Sequence, residues 1–145
     1  MIKQERVLAV TLDVNVLASG LVTPGGVLAL ILESWASGQF SLVISDHIMH
    51  GLSQTWQKPY FLARISPSRR NVAFALLRDL ATFVEPTANI VGVAPNAEDD
   101  LILATAVAGK VRFLVTGDKP LQALQNYQSV AIISPRAFLD VLNEE

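Results

Sequence analysis

At 145 residues the chain suits one ordinary domain, long enough to bury roughly two-thirds of the surface its unfolded form exposes without a covalent staple. It contains no cysteine, which excludes disulfides, thiolate metal sites and cysteine nucleophiles and is compatible with a reducing cytosol. Apolar residues make up 51% and charged residues 17%, so much of the chain is destined for burial; the net charge of −2 provides no global basic field, and any nucleic-acid contact must rest on a local patch or on bridging metals.

Lys3, Glu5 and Arg6 stand where a signal peptide would be turning apolar, and no apolar run approaches the roughly 20 residues of a spanning helix. The expectation is a soluble, cytoplasmic protein with no membrane partner. Val7 to Leu12 is a short apolar run with β-branched residues and reads as a buried strand with Asp13 at its C-terminal end. Thr23-Pro24-Gly25-Gly26 is a turn, and Val27 to Ser37 carries apolar residues at helical spacing before Gly38. Ser41 to Ile44 is the next strand, followed by a helix capped by Ser45 or Asp46 and running to about Trp56.

Lys58-Pro59 ends that helix, and Ser66-Pro67 opens a long one to about Phe83. Ile90 to Val93 reads as a strand and Ala94 to Glu98 as a polar loop. From Asp99 the run LILATAVA is apolar on nearly every side, a buried helix that Gly109 ends. Arg112 to Val115 is a strand, Thr116-Gly117-Asp118 turns into a short helix, Val130 to Ile133 is a last strand, and Ser134-Pro135 opens the final helix. Strands alternating with helices predict a three-layer α/β/α fold around a parallel sheet, one domain over residues 1–145 without repeats or linkers.

In open parallel sheets ligands bind outside the carboxyl ends of the strands, where Asp13 and Asp118 fall, while Asp99 opens a helix. Each of the three also suits a helix cap or a turn. If they converge, their repulsion demands a cation or a raised pKa, and hard oxygen donors of this kind suit Mg²⁺ or Mn²⁺. Asp100 adds favourable charge to the same helix start. Successive helical residues point in different directions, so Asp99 and Asp100 do not face one metal equally, and Asp100 is assigned a supporting place.

The motifs themselves are distinctive. Leu12-Asp13-Val14-Asn15-Val16-Leu17-Ala18-Ser19-Gly20 resembles the first motif of PIN-domain proteins. Glu98-Asp99-Asp100-Leu101 with Ala104-Thr105-Ala106 resembles their third acidic motif, and Leu114-Val115-Thr116-Gly117-Asp118-Lys119-Pro120-Leu121 resembles the fourth. Their order covers nearly the whole chain, and the group most similar to it is the VapC-like toxin components of bacterial toxin–antitoxin pairs. The resemblance implies a metal-dependent single-strand ribonuclease fold in which Asp13, Asp99 and Asp118 hold Mg²⁺ (or Mn²⁺) and water attacks an RNA phosphodiester. It also implies supporting roles for Asn15 and Thr116, an antitoxin protein as partner, and a homodimer, which the low charge and high apolar content favour independently.

One departure stands out: the family usually carries a glutamate on the helix after the second strand, and Gly51 occupies the matching position within Ser45-Asp46-His47-Ile48-Met49-His50-Gly51-Leu52. Asp46, His47 and His50 are possible substitutes, and Ser45 matches a serine that caps the helix. The loss of the acid makes a degenerate domain that binds RNA or a protein without cutting the alternative to a working nuclease. A haloacid-dehalogenase-type phosphotransferase is disfavoured by Asn15 and Gln122, which stand where that family needs acids, and a receiver-like domain lacks paired acids beside the first strand. Arg64, Arg69 and Arg70, with Trp56, Tyr60 and Phe61 nearby, are the candidate RNA-binding groove, although a solvated helix start explains them equally well.

Overall fold

The computed structural model describes residues 7–86 and 89–144. Lys3, Glu5 and Arg6, on which the expectation of an unsecreted chain partly rested, lie outside the described residues. The sheet is built on four strands of apolar, largely β-branched sequence: β1 (Ala9–Leu12), β2 (Ser41–Ile44), β4 (Phe113–Val115) and β6 (Val130–Ile133). β1, β2 and β4 are buried at consecutive positions, as strands covered on both faces must be. Two short strands complete the edges, β3 (Thr82–Phe83) beside β2 and β5 (Asn126–Tyr127) beside β6, giving the order β3-β2-β1-β4-β6-β5. All pairings are parallel except that of β5 with β6.

This order contains a switch point. From β1 the chain winds outward through β2 to β3, then returns to place β4 and β6 on the other side of β1. The helices that leave β1 and β4 therefore diverge and leave a crevice above the carboxyl ends of these neighbouring strands.

Among the described residues eight helices flank the sheet. α1 (Val14–Gly20) packs against α2 (Val27–Ala36) and α3 (Asp46–Thr55), and α2 packs against α8 (Pro135–Asn143). α6 (Ala97–Ala108) lies against β1, β2, β4 and α3 and buries Ile102, Leu103, Ala104 and Ala106. The remaining helices are α4 (Pro59–Leu62), α5 (Pro67–Leu80) and α7 (Lys119–Gln122). Ser45, Ser66 and Ser134 cap α3, α5 and α8 through side-chain oxygens that accept backbone N–H groups, and Pro67 and Pro135 follow two of these caps.

Four expectations change. The strand expected at Ile90 to Val93 does not form, because Gly92 adopts φ +72° and the backbone N–H groups of residues 92 to 94 are taken by a side chain of α6. The third strand is instead Thr82–Phe83, within the stretch expected to finish α5. α6 begins at Ala97 with Asn96 as its cap rather than at Asp99. α1, α4 and β5 are additional elements; α1 follows Asp13 directly, with that carboxylate as its cap. Among the described residues no helix is long and apolar enough to cross a membrane.

Candidate metal centre

Asp13 is fixed by the end of β1. Its N–H donates to the Val115 carbonyl at 2.9 Å, continuing the β1–β4 ladder, and its Oδ1 accepts from the N–H of Val14 at 2.7 Å. Its other oxygen accepts from the Thr116 hydroxyl at 2.7 Å, and that hydroxyl oxygen in turn accepts the N–H of Asp118 at 3.0 Å. Thr116 is wholly buried. A single hydroxyl thus binds together the turns that follow β1 and β4. Asp118 starts α7 but makes no side-chain cap bond, which leaves its carboxylate available.

The third carboxylate arrives on α6. Asn96 accepts the Asp99 N–H at 2.9 Å and sets the helix start, so that Asp99 falls in the first turn. Asp99 is only 9% exposed, and its Oδ2 is buried without a hydrogen-bond partner. Burial, then the charges of Asp13 and Asp118, push its pKa from 3.8 to about 6, with Asn96 opposing and Glu98 adding to the rise. Burial also raises the Asp13 pKa, against the hydrogen bonds from Thr116 and Val14.

Asp13, Asp99 and Asp118 line one cavity of about 860 Å³, together with Asn15. Asp100 does not line it. Its two oxygens accept the N–H groups of Gly92, Val93 and Ala94 at 2.9, 3.1 and 2.7 Å, which lowers its pKa, the Ala94 bond contributing most. Its support of the site is confined to anchoring the loop that precedes α6. Ser45, also outside the cavity, shares a 2.8 Å hydrogen bond with Thr105 and joins α3 to α6.

The donor chemistry fits a divalent cation. An unpartnered, buried carboxylate oxygen beside two further carboxylates is costly in a low-dielectric pocket, and an all-oxygen set suits Mg²⁺ or Mn²⁺. As placed, the side chains form no finished ligand shell: among the described residues no three Asp, Glu or His groups stand close enough to grip one ion. Both oxygens of Asp13 already accept one protein hydrogen bond, and each keeps a second lone pair that could meet a cation.

Gly51 lines the cavity, as the second-motif match predicts, and so do His47 and His50; Asp46 is exposed and lies outside it. Gln54, Lys58, Asn96 and Glu98 also line it and were not singled out from sequence. The spacing 47, 50, 54, 58 on and just beyond α3 was the signal available for two of them.

The expected arginine groove is corrected in one respect. Trp56 is fully buried, its indole N–H donating to the Ala18 carbonyl at 3.2 Å, so it presents no face to a base. Phe61 is buried too, and Arg64 covers the Tyr60 ring at 3.7 Å while donating to the Tyr60 carbonyl at 2.7 Å. None of Arg64, Arg69 and Arg70 lines the cavity.

The model of the PIN domain matches residues 9–120, from the first residue of β1 to the second of α7. The chain belongs to the PIN-domain family. Nine chains of solved structures match it. One belongs to the crystal structure of VapBC2 from Rickettsia felis bound to a DNA fragment from their promoter; at 13% identity it covers 88% of this chain and 98% of that one, with a TM-score of 0.59. At that identity the likeness concerns the fold. A comparison with curated proteins finds no match. The matched span of this PIN domain includes all three cavity aspartates and Gly51.

Proposed function

We propose that this PIN domain is a metal-dependent endoribonuclease, the toxin component of a toxin–antitoxin pair, acting in the cytoplasm on RNA phosphodiesters with Mg²⁺ or Mn²⁺ held by Asp13, Asp99 and Asp118. The observation that carries this reading is the buried, unpartnered oxygen of Asp99 in a cavity shared with Asp13 and Asp118 at the sheet's switch point. Membership of a family of nucleases supports the reaction class, and the VapBC2 complex with which the fold is shared supports an antitoxin as partner. The low charge and high apolar content of the chain support a homodimer as the working assembly. A divalent cation held there would supply Lewis-acid activation of water and charge neutralisation at the phosphodiester. Thr116 keeps the Asp13 carboxylate oriented toward the cavity, Asn15 offers an amide at its rim, and Asp100 holds the α6 entry loop in place. Arg64, Arg69 and Arg70 serve as an outlying contact for the RNA backbone.

The second reading is a PIN domain that binds RNA or a protein without cutting, and Gly51 favours it because α3 brings no glutamate to the cavity at that position. Cleavage of a single-stranded RNA by the purified protein in Mg²⁺ or Mn²⁺ decides between them. Asp13→Ala and Asp118→Ala are each expected to lower the rate by at least about a hundredfold, since loss of the cation forfeits several kcal/mol of transition-state stabilisation. Binding without any metal-dependent cleavage by the wild type would establish the second reading instead.

A further inference from the structure

The cavity has two chemically opposite walls. One is anionic and carries Asp13, Asp99 and Asp118, with Glu98 at the α6 start. The other is formed by α3 and the corner just past it: His47, His50 and Gln54, three to four residues apart and therefore on one side of the helix, with Lys58 beyond its end. Every side chain of this stripe can donate a hydrogen bond, Lys58 as a full cation, Gln54 through its amide and each histidine through at least one ring N–H. The only acid of α3, Asp46, is exposed and outside the cavity. Gly51, between the histidines and Gln54, lines the cavity without a side chain, its Cα lying close against Val14 of α1.

Lys58 is also well anchored. Its N–H donates to the Thr55 carbonyl at 3.1 Å, and its own carbonyl accepts from Phe61 and Leu62, both at 3.0 Å, which fixes the α3–α4 corner. An anionic polymer approaching four carboxylates meets repulsion that the two charges of one divalent ion do not cancel, and this chain has no global positive field to compensate. Within the cavity the donor wall is the feature that can.

We propose that the α3 wall is a phosphate-binding face, with Lys58 and His50 as positioning residues that hold the backbone of single-stranded RNA in the cavity beside the carboxylates. The proposal rests on the ribonuclease reading for the identity of its ligand, but its test does not depend on cleavage. Anisotropy of a short fluorescein-labelled single-stranded RNA is measured in Ca²⁺ over a salt series, with gel analysis to verify that the RNA stays intact, and Mn²⁺ binding is measured separately by calorimetry. Lys58→Gln is expected to weaken RNA binding about three- to tenfold and to make the log–log salt dependence shallower by about 0.7. His50→Gln weakens it less, Lys58→Arg restores it, and Arg136→Gln, an exposed change on α8, leaves it unaltered. Mn²⁺ binding stays the same in all four. RNA affinity and salt slope unchanged in both Lys58→Gln and His50→Gln would overturn the α3 face while leaving the nuclease reading intact. Failure of the wild type to bind or cut RNA at all would overturn both.

Discussion

The two sides of the α6 start, one facing the cavity and one facing the loop before the helix, treat neighbouring carboxylates in opposite ways. On the loop side Asp100 has every charge-bearing oxygen met by backbone donors, and its pKa falls. On the cavity side Asp99 has a buried oxygen with no donor and two carboxylates for neighbours, and its pKa rises to about 6. Both residues sit in the same helical turn, where the dipole favours negative charge. A bound cation or a proton would reconcile the cavity side with the rule that buried charge is partnered, whereas the loop side is complete in itself. The saturated carboxylate is scaffolding, and the starved one belongs to the candidate site.

The largest effect expected from breaking this contrast lies on the saturated side. Asp100→Ala removes the acceptor for three N–H groups at once, including that of Gly92 in its left-handed conformation, and releases the loop that leads into α6. The midpoint of thermal unfolding is expected to fall by about 5 °C or more. A midpoint within a degree of wild type would mean that the loop is held by something other than this carboxylate.

On the starved side the sign reverses. Asp99→Asn relieves a repulsion, so the metal-free variant is expected to melt about 2 °C higher than wild type at pH 7.5. Because the folded pKa of about 6 exceeds the ordinary value of 3.8, the folded state holds the Asp99 proton more tightly than the unfolded one. Metal-free wild type therefore loses stability as pH rises from about 4 to 6 and changes little from this group above that window. The variant should flatten this slope in part, with the remainder due to Asp13, whose pKa is raised in the same direction. With saturating Mn²⁺ the order should invert, wild type gaining stability by ligation and the variant gaining less. Scanning calorimetry at pH 4.5 and 7.5, with and without Mn²⁺, covers all of these arms.

Much of this arrangement was legible in the residues, for physical reasons that differ by element. β1, β2, β4 and β6 announce themselves because consecutive apolar, β-branched residues fit only a strand buried on both faces, and the serine and proline pairs at 66–67 and 134–135 fix two helix starts. Asp13, Asp99 and Asp118 could be named together because their motifs stand in order, and the topology then brings them to one cavity. β3 escaped notice because two exposed residues at a sheet edge carry no periodicity, and the apolar run at 90–93 misled because its backbone donors serve Asp100 instead of a strand. The donor stripe on α3 was hidden for another reason: His47, His50 and Lys58 look like ordinary surface residues until the fold shows them sharing one cavity with the carboxylates.

The smallest expected effect concerns Gly51, in the middle of α3. Alanine at position 51 should stabilise α3 by about 1 kcal/mol on propensity alone, since glycine leaves more backbone freedom in the unfolded chain. Packing opposes this: a Cβ at Gly51 would stand 3.0 Å from Val14 Cγ2, closer than apolar carbons normally sit, and Val14 belongs to the α1 turn that Asp13 caps. A valine side chain on α1 has little rotamer freedom with which to retreat, so the helices must part by a few tenths of an ångström. The two contributions nearly cancel, and Gly51→Ala is expected to change stability by no more than about 0.5 kcal/mol. Gly51→Glu carries the same Cβ contact, so any gain in Mn²⁺ affinity relative to Gly51→Ala isolates the carboxylate from the backbone effect. Equal Mn²⁺ affinity in the two variants would mean that a glutamate at this position does not reach the ion and that the cavity works with three aspartates. Calorimetric titration of both variants, beside their unfolding midpoints, distinguishes a glycine kept for helix contact from a glycine that merely marks a lost ligand.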